Sequence, residues 1–156
     1  RVLFRSRKNM IKILIVEDDL NKCNQLKDSL QKKLDNLIIE ERKSYQSGLK
    51  EIVNNDYDLI LLDMSMPTYD DGERYRAFAG RDILQQMSRR KINVKTIIIT
   101  QFETFGDDNK VSIEELRKSL EKAYNEIYCG IIYYKAGLSD WKDELISLVK
   151  KLAENN

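Results

Sequence analysis

The chain has 156 residues, enough for one domain with a buried core, and its 27 basic and 26 acidic residues leave a net charge of +1. That balance gives no electrostatic case for direct contact with nucleic acid or an anionic membrane, and no apolar stretch approaches the ~18–20 residues of a membrane span. Histidine is absent, which excludes imidazole bases and His-ligated metals; Cys23 and Cys129 lack a CxxC spacing and read as reduced thiols of a cytoplasmic protein.

The opening RVLFRS matches the translation of a common sequencing adapter, so residues 1–9 read as a non-native or disordered tail and 10–156 as a single domain. From Met10 onward, strands alternate with helices. The first strand spans 11–16, and a helix follows with Leu20, Cys23, Leu26, Leu30 and Leu34 as its apolar stripe. A strand at 37–42 and a helix at 45–54 come next, then a strand at 58–62. The connection 64–79 holds the only proline, Pro67, and the turn Asp70-Asp71-Gly72. A helix over 80–89 leads to a strand at 95–100. After a polar segment, 101–111, Ser112 caps a helix whose first turn carries Glu114 and Glu115. A strand at 130–134 and a helix from Ser139, with Trp141, Leu145, Leu148 and Leu152 at helical spacing, complete the chain.

Five such units imply an α/β fold: a doubly wound, five-stranded parallel sheet with helices on both faces. Ligands of such sheets bind beyond the carboxyl ends of the strands. A dinucleotide site needs glycines after the first strand and a flavin mononucleotide site small neutral residues, but the chain has Glu17-Asp18-Asp19 there, which would repel phosphate. On neighbouring strands Glu17, Asp18 and Asp63 converge, and a hard divalent cation, Mg²⁺ or Mn²⁺, relieves their repulsion. Asp63 could then act as a nucleophile on a phosphoryl donor, with the metal and Lys135 neutralising charge and the Thr100 hydroxyl bonding a phosphoryl oxygen.

With ILIVEDD, LILLDMSMP, IIIT and IYYKAG in this order, the chain resembles the response-regulator receiver domains of two-component signalling over about residues 11–153. The resemblance implies the flavodoxin-like strand order 2-1-3-4-5. It makes Asp63 the phosphoacceptor, Thr100 the switch hydroxyl and Lys135 the phosphate-pairing lysine. Mg²⁺ would be held by Glu17, Asp18, Asp63 and the backbone carbonyl of Ser65, with Asp19 an extra acid beside them. The implied partners are a histidine kinase or phosphotransfer protein upstream and a protein target downstream, with a homodimer as a further option. No enzymatic role is expected beyond self-phosphorylation from small donors and autodephosphorylation.

The chain also departs from the family pattern. Gln101 stands where a small residue usually follows the switch threonine, Ala136 replaces the proline after the lysine, and Ile132 occupies the place of the switch aromatic. The segments 64–80 and 101–129 are longer than usual. These departures keep open an alternative, a pseudo-receiver that docks proteins without phosphorylation and is partnered with a histidine-kinase-like ATPase. A haloacid-dehalogenase-type phosphatase would need an acid two residues after Asp63, where Ser65 stands. With no room for an output domain, the chain reads as a stand-alone receiver or a fragment. The arginines 74, 76, 81, 89 and 90 read as a solvated face, and Tyr69, Tyr75, Phe78, Phe102 and Phe105 as caps of the long loops or a partner surface.

Overall fold

The computed structural model describes residues 10–154; the expected tail, 1–9, lies outside them. Five strands form one parallel sheet: β1 (Ile11–Val16), β2 (Leu37–Arg42), β3 (Leu59–Leu62), β6 (Lys95–Thr100) and β9 (Tyr128–Tyr133). Their order is β2-β1-β3-β6-β9, the expected 2-1-3-4-5 arrangement. The helices are α1 (Leu20–Lys33), α2 (Tyr45–Asn54), α3 (Ala79–Arg89), α4 (Ile113–Ala123) and α5 (Asp140–Glu154).

Side-chain alternation along the strands splits the core in two. Ile13, Ile15, Leu61, Ile97 and Ile99 face Leu26 and Leu30 of α1 and Trp141 and Leu145 of α5. Leu14, Val16, Ile60, Leu62 and Ile98 face Ile52 of α2, Ile83, Leu84 and Met87 of α3, and Leu116 and Leu120 of α4. Both faces are covered, so the central strands run apolar through Ile13–Val16, Leu59–Leu62 and Ile97–Ile99 up to their carboxyl ends, where polarity begins.

Several local expectations need correction. Leu20 is exposed, and the buried face of α1 begins instead with Lys22, which lies four residues before Leu26 and eight before Leu30. The last strand starts at Tyr128 rather than 130, because a bulge at Thr96/Ile97 leaves Cys129 unpaired and sets Gly130 at φ 151°. The two long connections contain short antiparallel hairpins. Met66–Pro67 (β4) pairs with Tyr75–Arg76 (β5), and Thr104–Phe105 (β7) pairs with Val111–Ser112 (β8). Two-residue strands leave no periodic pattern to read.

Candidate functional site

Parallel pairing brings the acids together. Val16 lies opposite Leu62, so Glu17 and Asp63 leave neighbouring strand ends side by side. The Asp63 amide extends the ladder by donating to the Val16 carbonyl at 3.1 Å, and the Glu17 amide donates to Arg42 at 2.9 Å. Carboxylate oxygens of Glu17, Asp18 and Asp63 all lie within 4.8 Å of one another, with Glu17 and Asp63 buried and Asp18 exposed. Asp19 turns away to cap α1, accepting from the Lys22 amide at 3.1 Å.

The acceptor loop is clamped from behind. The Gly80 amide donates to the Met64 carbonyl at 2.9 Å, and a Cβ at Gly80 would stand 2.6 Å from the Asp63 carbonyl oxygen. Glycine there lets the first turn of α3 press directly on the backbone of the acid. Ser65 is buried, and its hydroxyl donates to Ala77 at 2.7 Å. Thr100, on the neighbouring strand, is fully buried, and its Oγ1 accepts from the Phe102 amide at 3.1 Å.

A residue missed in the sequence occupies the middle of the cluster. The Lys22 ammonium is 2.6 Å from Glu17 Oε1 and 3.3 Å from Asp63 Oδ2, and all three side chains are about 1% exposed. It donates to the Ile99 carbonyl at 2.7 Å and to Gln101 Oε1 at 2.8 Å. Its place on the stripe Lys22, Leu26, Leu30 was the signal available in the sequence, since a lysine on a buried helix face needs oxygens around its head. Gln101 therefore serves as one of those oxygens. Lys135, by contrast, is exposed; its ammonium lies 6.0 Å from the Tyr133 ring and forms no ion pair with the cluster.

One ammonium does not balance three carboxylates. Burial raises the Glu17 carboxyl above its ordinary range, with Asp63 adding to the rise and Lys22 opposing it. Burial likewise raises Asp63, against the pull of Lys22, and raises Asp18. Neither oxygen of Asp63 has a hydrogen-bond partner, although both are buried. An oxygen-only donor set whose inner carboxylate makes no hydrogen bond fits Mg²⁺. Glu17 would have to be shared, because Oε1 is held by Lys22 and Oε2 by the Asp19 amide at 3.2 Å.

The mouth of the site is polar and partly aromatic. An open cleft of about 380 Å³ beside Glu17 and Asp18 is also lined by Arg42, Lys43 and Asp70. Tyr75, in β5, is exposed; partial burial raises its phenol, Ser65 opposes the rise, and the charges of Asp63, Asp18 and Glu17 add to it. Of the arginines, Arg76 pairs with Asp82 at 3.2 Å and stacks 3.9 Å from the Tyr45 ring, while Arg81 stacks 4.1 Å from Phe78. These two hold the fold rather than forming a free basic face. Among the described residues there is no cis peptide bond, and no helix is long and apolar enough to cross a membrane.

Comparison with known proteins agrees with this architecture. Residues 13–129 match the model of the response regulator receiver domain. The chain is 32% identical over 150 residues to the Detocs response regulatory protein DtcB of Enterobacter cloacae, covering 91% of this chain and all of that one. Among solved structures it is similar to the response regulator TrrA of Thermotoga maritima, determined in complex with Mg²⁺ and BeF, at 24% identity and a TM-score of 0.64 over 92% of this chain and 99% of that one. A Francisella response regulator receiver domain gives 22% identity and a TM-score of 0.65, over 93% and 98% of the two chains. At such identities the structural likeness speaks for the fold.

Proposed function

Because the chain belongs to the response regulator receiver domain family, we propose that Asp63 accepts a phosphoryl group, with Mg²⁺ bound, from a histidine kinase or phosphotransfer protein. The single observation that carries this reading is the state of Asp63: a buried carboxylate at a strand end with no hydrogen bond to either oxygen, beside two further acids. Structural acids of that burial are normally tied up by hydrogen bonds. TrrA, similar in fold, was determined in complex with Mg²⁺ and BeF, which goes with Mg²⁺ as the metal.

In the transfer, an Asp63 oxygen forms a bond to phosphorus as the donor's bond to phosphorus breaks. Acetyl phosphate leaves as acetate; a phosphohistidine leaves as imidazole, which takes up a proton from water. Mg²⁺, held by Asp18, Asp63, Glu17 and the Ser65 carbonyl, would offset charge on the phosphoryl oxygens. The Thr100 hydroxyl would donate to one of them. Arg42 and Lys43 line the cleft, where they would meet an anionic donor. Thr100 and α4 would then form the face read by a protein target. A cytoplasmic setting goes with this reading.

Incubation with Mg²⁺ and acetyl phosphate should add one phosphoryl group by intact mass, and Asp63→Asn should abolish the gain. Failure of the wild type to gain mass at any donor concentration would overturn the assignment. One observation favours the pseudo-receiver reading instead: Lys22 already pairs with Glu17 and Asp63. On that reading the folded protein binds no Mg²⁺, which a calorimetric titration decides.

A further inference from the structure

The cation nearest the acceptor comes from the first helix of the fold, not from the end of β9. We propose that Lys22, held by Gln101 and the Ile99 carbonyl, is the residue that neutralises charge at Asp63, both in the free protein and on the phosphoryl group that Asp63 receives. The inference rests on the acceptor reading above and extends it to a residue that the sequence pattern left unassigned.

Three features carry it. First, the position is built: Lys22 is 1% exposed, and its stem runs along the buried stripe of α1, so its head is delivered from beneath the site. Second, an ammonium has three protons, and three oxygens stand at short range: Glu17 at 2.6 Å, Ile99 at 2.7 Å and Gln101 at 2.8 Å. Asp63, at 3.3 Å, feels the charge without spending an oxygen on a hydrogen bond. Its oxygens stay free for bond formation while the ammonium lies one contact away. Third, two of the three partners, the Ile99 carbonyl and the Gln101 amide, are uncharged and lie at the end of β6 and just beyond it. They keep hold of the ammonium while Glu17, the charged partner, is exchanged for a phosphoryl oxygen. Gln101 then holds the lysine rather than obstructing the phosphoryl group.

The same geometry sets Lys22 against the divalent cation. Both draw on Glu17 and Asp63, so metal binding must share or displace the ammonium. Removing the ammonium should favour metal and disfavour phosphoryl transfer, a pair of opposite effects that a merely structural lysine would not produce.

The test compares Lys22→Met, Gln101→Ala and Lys135→Met with the wild type, each checked for folding by circular dichroism. Mg²⁺ affinity is read by calorimetry and phosphoryl uptake from acetyl phosphate by intact mass. Lys22→Met should bind Mg²⁺ about tenfold more tightly and take up phosphoryl about tenfold or more slowly. Gln101→Ala, which keeps the charge, should slow uptake about threefold and report even if Lys22→Met does not fold. Lys135→Met should have the smallest effect on uptake. The proposal is overturned if Lys135→Met loses phosphorylation while Lys22→Met or Gln101→Ala keeps it, or if a folded Lys22→Met binds Mg²⁺ no more tightly than wild type. A wild type that gains no phosphoryl overturns the acceptor reading itself, an outcome distinct from either.

Discussion

The two hairpins that lengthen the loops lie on the same side of the sheet but are fastened by different means. The first, between β3 and α3, is tied by polar bonds. Asp70 accepts from the Ser44 and Ser47 hydroxyls at 2.7 Å each, the Gln46 amide donates to Thr68 at 2.9 Å, and Arg76 links Thr68, Asp82 and the Tyr45 ring. The second, between β6 and α4, is held by apolar packing, with Phe105 as its most buried side chain and Val111 against the same core. Phe105 is buried, 6.2 Å from the ring of Phe78 and 6.5 Å from that of Phe102, and the capping box of Ser112 and Glu115 closes its far end. A set of directional bonds fixes a loop in register, whereas apolar packing fixes it in place but leaves its backbone freer to turn. The rigid hairpin borders the acceptor and the freer one follows Thr100.

The largest test of this contrast is Phe105→Ala, which removes the most buried side chain of that packing. It should cost about 3 kcal/mol in chemical denaturation and speed amide exchange across 101–112 far more than across 66–76. Equal exchange in both segments would dissolve the distinction. Gly80→Ala strikes the root of the first hairpin, forcing a methyl against the Asp63 carbonyl. A loss of about 1–3 kcal/mol is expected, with slower phosphoryl uptake; unchanged uptake would mean that the clamp does not position the acid. Ser44→Ala removes both the cap of α2 and one tie to Asp70, at about 1 kcal/mol, and should quicken exchange at 68–74 and in the first turn of α2 but not at 101–112.

The smallest effect is one of pH. Hydrogen bonds from Ser44, then Ser47, hold the Asp70 carboxyl below its ordinary range. A depressed carboxyl stabilises the folded form fully above its unfolded value of about 3.9 and loses that contribution as pH falls through the folded value. Exchange at 68–74 should therefore quicken below pH 4 before it does at 101–112. Simultaneous loosening would show that the polar ties are not what holds the first hairpin.

How much of this was legible in the sequence depends on the range of the signal. Strands such as ILIV and LILL announce themselves by composition, and the acids at their ends follow from parallel pairing alone, so Glu17, Asp18 and Asp63 could be placed together. Ser65 and Thr100 could be located but not oriented, since their hydroxyl partners, Ala77 and Phe102, are set by loops with no periodic pattern. The hairpins were hidden because two-residue strands are defined by their partners. Lys22 was hidden for another reason. Charge overrode periodicity in reading the helix, and the exposed Leu20 took a place in the stripe that the lysine holds. Lys135 matched by local pattern, yet its side chain is exposed and forms no ion pair with the acids.

The bond between Thr100 and Phe102 has a directional consequence. By accepting from the Phe102 amide, the Thr100 oxygen commits a lone pair to its own chain, and its proton is left pointing elsewhere as a ready donor. The same bond works as a hinge pin between the end of β6 and the start of the second hairpin. Any oxygen that draws the hydroxyl toward Asp63 pulls on that amide. The pull is delivered two residues before Thr104, in the hairpin that Phe105 and Val111 hold to the core.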